Sequence, residues 1–231
     1  MCWDGAGARL LSGDEQGHVL LSRFENGKIR ALKQVVHENS TIVQLRFDRF
    51  HQSDGNLILI SSLKRVVVAR VDGQGSAVQV GRKERKNPAP YGADFGPFSD
   101  QPLIYSSRPG LRLWVSNGEG AVGQTLIYKD SVAKPEAKLI LLSCPQEYSN
   151  NNESLAFGPV FVLEEGLVVT YSSSSLFILN ADSSKGVSIV KSSRFANKLR
   201  NLSVHESEMF LILDNRMMVR VSDRPSLQIK K

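Results

Sequence analysis

Residues 103–132 read LIYSSRPGLRLWVSNGEGAVGQTLIYKDSV. An apolar run at Leu103–Tyr105 meets Arg108-Pro109-Gly110, an alternating run ends at Trp114, and a polar turn leads into a longer alternating run. Proline presets φ for a turn and glycine accepts positive φ, so the stretch spells strand, tight turn, strand, turn, strand. Similar triplets recur along the whole chain, and self-similarity of this size is the mark of a repeat architecture.

Working outward, short runs of Val, Ile, Leu, Phe and Tyr are divided by Gly, Asn, Asp, Ser and Pro, with little helical periodicity. That is the pattern of an all-β protein. Successive units of four strands are expected. The first uses Cys2–Asp4, Arg9–Ser12, Gly17–Phe24 and Ile29–Val36, with a hairpin turn at Gly13–Gly17. The second uses Thr41–Phe47, Leu57–Ser61, Arg65–Val71 and Ser76–Val80, its Val66-Val67-Val68-Ala69 run suiting a strand covered on both faces. The third uses Tyr91–Phe95, Leu103–Tyr105, Leu111–Val115 and Ala121–Tyr128. The fourth uses Lys138–Leu142, Val160–Thr170, Leu176–Leu179 and Val187–Val190. The fifth uses Leu199–Val204, Met209–Leu213, Met217–Val221 and Leu227–Ile229. The expected fold is a β-propeller of about five four-stranded blades forming one domain over residues 1–231. Because the chain opens directly in a strand at Cys2, the ring is expected to be incomplete and to lack leading blades.

Composition narrows the classes. At 231 residues, with 41% hydrophobic and 23% charged residues, the chain is an ordinary globular sequence with enough length for a substantial core. Net charge is +6, which favours solubility and anionic partners without saying anything about fold. Two cysteines, Cys2 and Cys144, do not make a disulfide framework and point to a reducing, cytoplasmic setting. Asp4 and Gly5 interrupt any secretory leader, and no apolar run approaches the ~20 residues of a membrane helix.

The order of several blocks then becomes recognisable: Cys2-Trp3-Asp4, Leu10-Leu11-Ser12-Gly13-Asp14 and Gly17; Ile42-Val43-Gln44-Leu45; Leu59-Ile60-Ser61-Ser62-Leu63-Lys64-Arg65; Gln79-Val80-Gly81-Arg82; Tyr91-Gly92-Ala93; Ser107–Trp114; Glu208-Met209-Phe210; and Arg220–Pro225. This order resembles the N-terminal WD40 propeller of the tectonin β-propeller repeat-containing family. Several blocks are also similar to the Hermansky–Pudlak syndrome 5 type, while Ser107–Trp114 and Arg224-Pro225 favour the tectonin family. The resemblance implies a non-catalytic protein-interaction scaffold in autophagy and secretory or vesicle traffic, with protein partners from that machinery and peripheral membrane association through them. The Hermansky–Pudlak alternative implies a role in lysosome-related organelle biogenesis.

Candidate site residues are few. Arg82, Lys83, Arg85 and Lys86 surround one acid, Glu84, and Arg108 and Arg112 flank the Pro109-Gly110 turn. These six are the expected partner-binding cations, although a solvated loop is the plainer account of the first four. Trp114, opposite the Leu111, Leu113, Val115 face, is expected between blades. Phe210-Leu211-Ile212-Leu213 matches an aromatic-x-x-aliphatic strand-addition motif, but a buried strand between turns is the expected reading. His18, His37, His51 and His205 are dispersed, so no metal is expected. No cofactor, small-molecule substrate or catalytic residue is expected, since Gly-x-Ser-x-Gly and phosphate-binding loops are absent. Nucleic acid, bound through the basic surface, is the disfavoured alternative because the charges are dispersed.

Overall fold

Asp4, Asp14 and Asp72 each stand three residues ahead of a glycine: Gly7, Gly17 and Gly75. Those glycines have φ of 66°, 94° and 80°, a region that an L side chain enters at a cost. In each turn the aspartate carbonyl accepts the glycine N–H, at 3.1, 3.4 and 3.0 Å. The carboxylate accepts further amides: Ala8 and Arg9, Gln16 and His18, Gln74 and Ser76. A short polar side chain that closes its own turn is why Asp recurs there. Asn26-Gly27, with φ of 50° and 71°, makes the mirror-image two-residue turn that hairpin twist prefers.

In a computed structural model of the chain, the described residues are 1–50, 57–85, 87–96, 103–108, 112–117, 138–141, 159–163, 167–182, 186–205, 208–222 and 229–230. Every regular element among them is a β-strand. The strands are β1 (Cys2–Trp3), β2 (Arg9–Gly13), β3 (His18–Glu25), β4 (Lys28–His37), β5 (Ile42–Phe47), β6 (Leu57–Ser62), β7 (Arg65–Val71), β8 (Ala77–Glu84), β9 (Ala93–Phe95), β10 (Leu103–Arg108), β11 (Arg112–Asn117), β12 (Lys138–Leu141), β13 (Phe161–Val162), β14 (Leu167–Tyr171), β15 (Ser175–Asp182), β16 (Gly186–Arg194), β17 (Leu199–His205), β18 (Glu208–Leu213), β19 (Met218–Ser222) and β20 (Ile229–Lys230). They form five four-stranded sheets, each built from four consecutive strands in sequence order. The chain divides into two compact units, one of Met1–Ser106 with Val115–Lys138, the other of Ser107–Trp114 with Leu139–Lys231.

Within the first unit the core joins the first two sheets: Leu11, Val19 and Leu21 pack with Leu45, Phe47, Ile58, Ile60, Val67, Ala69 and Val71. All six residues of β6 are buried, so this inner strand is covered on both faces, as is the apolar run of β7. In the second unit Val169, Tyr171, Leu176 and Ile178 pack against Leu202, Met209, Leu211, Val219 and Val221.

Several strands run longer than expected, β10, β15 and β16 by three or four residues at the C-terminal end, and three differences change the reading. Lys138–Leu141 is the outer strand of the third sheet, beside β11, and does not open the fourth. A four-residue apolar run looks the same whichever neighbour it joins. The expected single strand over 160–170 folds back on itself, with β13 and β14 antiparallel, Phe161 opposite Val169 and Leu163 N–H donating to Leu167 O at 2.8 Å. β8 runs past Val80 to Glu84, pairing Lys83 with Val66 and Glu84 with Arg65, so half of the cationic segment is strand. The expected strand at Ala121–Tyr128 lies outside the described residues.

Truncating Ile60, fully buried between the first two sheets, is expected to cost about 2–5 kcal/mol of stability in urea unfolding as Ile60→Ala. Val78→Ala, at an exposed position of β8, is expected to stay within about 0.5 kcal/mol.

Candidate functional site

Leaving a sheet by its outer strand, the chain must satisfy the amides of the connection that follows, since buried backbone groups need partners. It does so on the turn between the two middle strands. In the first unit Glu38 N–H donates to Gly17 O at 2.9 Å and Ile42 N–H to Asp14 O at 3.0 Å. The next sheet repeats this: Arg85 N–H donates to Lys64 O at 2.7 Å and Ala89 N–H to Leu63 O at 3.1 Å. The first of these connections, between β4 and β5, also receives a bond from the sheet it enters, Leu63 N–H to Thr41 O at 3.1 Å. The approach is close: a Cβ on Gly17 would lie 2.8 Å from the backbone of Asn39 and Ser40.

The second unit carries the same stitch. Phe195 N–H donates to Ser174 O, Leu199 N–H to Ser173 O, and Asp214 N–H to Lys198 O, at 2.8, 2.7 and 2.9 Å. Tyr171 adds a side-chain tie, its hydroxyl donating to Arg200 O at 3.3 Å. Burial pushes its phenol up to about 12, because the ionised form is disfavoured away from water.

The first residue past the outer strand is thus Glu38, Arg85 or Phe195, three chemistries at one structural position. Each side chain turns inward. The Glu38 carboxylate, 1% exposed, receives both Nε and Nη2 of Arg65, and this bond raises the Arg65 guanidinium above its ordinary value. Arg65 also reaches Glu84 at 3.4 Å, and Glu84 lies 4.0 Å from Arg82. Arg85 is buried; it donates to Ser61 Oγ and Tyr91 O at 2.8 Å and to Ser62 O and Ser106 Oγ at 3.3 Å, and lies over the Tyr91 ring. Asp14, at the turn, is held below the usual carboxylate range by its hydrogen bond with His18. His18 stacks on His37 with ring centres 4.5 Å apart. The exposed rim of this face in the first unit carries Glu15, Gln16, Asn39, Lys64, Glu84 and Arg82.

Of the six expected cations, Arg82 is exposed and linked through Glu84 to Arg65. Lys83 lies in β8 opposite Val66. Arg85 departs from the expected surface loop: it is 7% exposed and its guanidinium is occupied inside the first unit. Lys86 lies outside the described residues. Arg108 closes β10 and Arg112 opens β11, with Trp114 also on β11. The Phe210–Leu213 motif lies in β18, paired on both sides by β17 and β19, so it has no free edge for strand addition. Sequence reasoning missed Glu38 and Arg65; nothing local marks a buried ion pair between residues 27 apart. The repeated Asp-x-x-Gly spacing was a signal that could have been found. Among the described residues no group of three His, Cys, Asp or Glu side chains could hold a metal.

No protein-family model matches the chain. Among solved structures it is similar to the β-propeller domain of Myceliophteria thermophila Cps50 (Swd1), with a TM-score of 0.67 at 14% identity over 99% of this chain and 69% of that one. It is also similar to Saccharomyces cerevisiae Sqt1, with a TM-score of 0.60 at 15% identity over 99% and 61%. The fold is therefore a WD40-like β-propeller fold. Its relatives are more particular. The chain is 30% identical to tectonin beta-propeller repeat-containing protein 2 of Homo sapiens over 97% of its length, and 27% identical to WD repeat-containing protein CG11141 of Drosophila melanogaster over 96%. It is 30% identical to BLOC-2 complex member HPS5 of Homo sapiens over 77%. The relation that the sequence blocks implied is thus present. The chain spans 16% of the length of each human relative and 35% of the fly one.

Three outcomes test this face. Gly17→Ala is expected to destabilise by at least about 1–2 kcal/mol, from positive φ and backbone collision together, whereas Gly73→Ala, with open space around it, is expected to stay within about 0.5 kcal/mol; thermal unfolding of both decides. Glu38→Met is expected to cost about 3 kcal/mol by leaving Arg65 without its carboxylate, and the double variant Glu38→Met/Arg65→Met to recover most of it. For Tyr171 the folded phenol titrates above its ordinary 10.0, so its stabilising contribution is complete below pH 10 and fades as pH climbs toward 12. In a tyrosinate absorbance titration a phenol ionising near 12 in the folded protein should vanish in Tyr171→Phe.

Proposed function

We propose that the chain is a non-catalytic, WD40-type protein-interaction scaffold acting in autophagy and in vesicle and secretory traffic. The observation that carries this is the stitched turn face: connecting loops whose amides are fixed on neighbouring turns present polar side chains in a preset arrangement, which is what a binding platform requires. The trafficking setting is what the resemblance of the sequence blocks to the tectonin family implies, and the likeness to a protein named as a complex member, BLOC-2 complex member HPS5, supports work within protein assemblies. The chain works as one domain in the cytoplasm and meets membranes through its protein partners. Arg82 and Lys83 at the end of β8, with Arg108 at the end of β10 and Arg112 at the start of β11, contact the partner.

The test is affinity capture of the tagged chain from cells with quantitative mass spectrometry, beside a variant carrying Arg82→Glu, Lys83→Glu, Arg108→Glu and Arg112→Glu. Enrichment of trafficking or autophagy proteins that falls severalfold in the variant is expected. A capture profile equal to that of an unrelated propeller would overturn the reading.

A further inference from the structure

In the turns that begin at Asp4, Asp14 and Asp72, the fourth residue is a glycine at positive φ, its N–H bonded to the carbonyl of the first. The turn between β18 and β19 makes the same bond, Arg216 N–H to Leu213 O at 3.0 Å, and Leu213 N–H closes it on Met217 O at 2.9 Å. Here the fourth residue is Arg216, at φ 65°. A long L side chain in that region strains the backbone, and strain that the surrounding structure holds in place points to a use for the side chain. Asn215 helps to hold it, its Oδ1 accepting Met217 N–H at 3.1 Å.

Arg216 has cationic neighbours. Asp214 N–H donates to Lys198 O at 2.9 Å, Leu199 pairs with Leu213 and Asn201 with Ile212, so the turn lies against the connection that enters β17. Residues 194–200 and 213–217 together hold Arg194, Lys198, Arg200 and Arg216 against one acid, Asp214. All five are exposed. Among the described residues no acid forms an ion pair with Arg194, Arg200 or Arg216. Glu208, partnered by Arg220, stands at the opposite end of β18. The corresponding turns of the first unit are balanced, with Glu15 and Glu84 beside Lys64 and Arg82.

Exposed apolar side chains border the cations. Met217, Met218 and Ile212 are 42%, 67% and 45% exposed, and Met218 lies opposite Ile212. Methionine adapts its shape to a partner, and arginine and methionine are enriched in protein interfaces. Neither segment carries Trp or Tyr, the residues of membrane interfaces and of base stacking. From this juxtaposition we infer that the β18–β19 turn and the connection into β17 dock an acidic segment of a protein partner. Arg216 and Arg200 take its carboxylates, for which the guanidinium fork is suited, and an apolar side chain of the segment lies on Met217 and Met218. This rests on the reading of the chain as an interaction scaffold and supplies the chemistry of one contact, at a place none of the six expected cations occupies.

The test uses the whole chain and a fluorescein-labelled peptide carrying Leu between Asp and Glu residues, followed by anisotropy. Saturable binding is expected, weakened about tenfold or more by Arg216→Gly and by Arg200→Gln, and also by changing the peptide Leu to Ser. Arg216→Gly relieves the positive φ, so its melting temperature should hold or rise while binding falls, a split that a structural role for Arg216 would not give. Arg200→Gln keeps the test decisive should Arg216→Gly alter the fold. No binding, binding unchanged in both variants, or equal competition by single-stranded DNA or by phosphatidylserine vesicles would overturn the inference. If the peptide fails while cellular trafficking partners are still captured, this docking site is refuted and the scaffold reading stands.

Discussion

There is no room for a side chain at Gly17, because the backbone of Asn39 and Ser40 passes within 2.8 Å of where its Cβ would be. That contact is one rung of the stitch on which the arrangement of successive sheets depends. A four-stranded sheet of this size cannot bury both faces alone, so its stability comes from the next sheet. The connection between them must run across the edge of both without leaving amides unpaired. Bonding the connection to the turn it leaves and to the turn it enters solves both problems. The same pattern appears in each unit with unrelated side chains: Gly17 and Glu38 in one place, Lys64 and Arg85 in another, Ser174 and Phe195 in a third.

Because main-chain groups make the stitch, the side chains at its positions are free to vary. In the three described cases the residue just past the outer strand is directed inward, yet the chain fills it with an acid, a base and an aromatic ring. Each choice brings its own partner: Arg65 for Glu38, Ser61, Ser106 and Tyr91 for Arg85, the apolar cluster for Phe195. Buried polar contacts of this kind add little stability over apolar packing but penalise any other pairing of sheets. Register and neighbour choice in the first unit are therefore specified by polar groups as well as by the Leu–Ile–Val core.

Much of this fold is legible in the sequence, and the failures share one cause. Alternation and turn residues place β2, β3, β5, β6, β7, β17 and β18 within a residue or two of their observed ends, since period-two burial and glycine turns act locally. The assignment of Lys138–Leu141 to a sheet depends on what lies beside it, and four apolar residues carry no record of that. Local charge density groups Arg85 with Arg82 and Lys83, as in a solvated loop. Its burial depends on Ser61, Ser106 and Tyr91 instead. The relation to known proteins was legible because block order survives where side-chain contacts have changed.

The central claim is that the connecting loops are held as firmly as the strands they join. Native-state hydrogen exchange on the amides of Glu38, Arg85, Ala89 and Phe195, all in connections between sheets, measures this directly. The stitch predicts that these loop amides exchange on the timescale of the neighbouring strand amides, through shared opening events. Exchange at the rate of free, solvated loops would show that the face is not preset and would contradict the account.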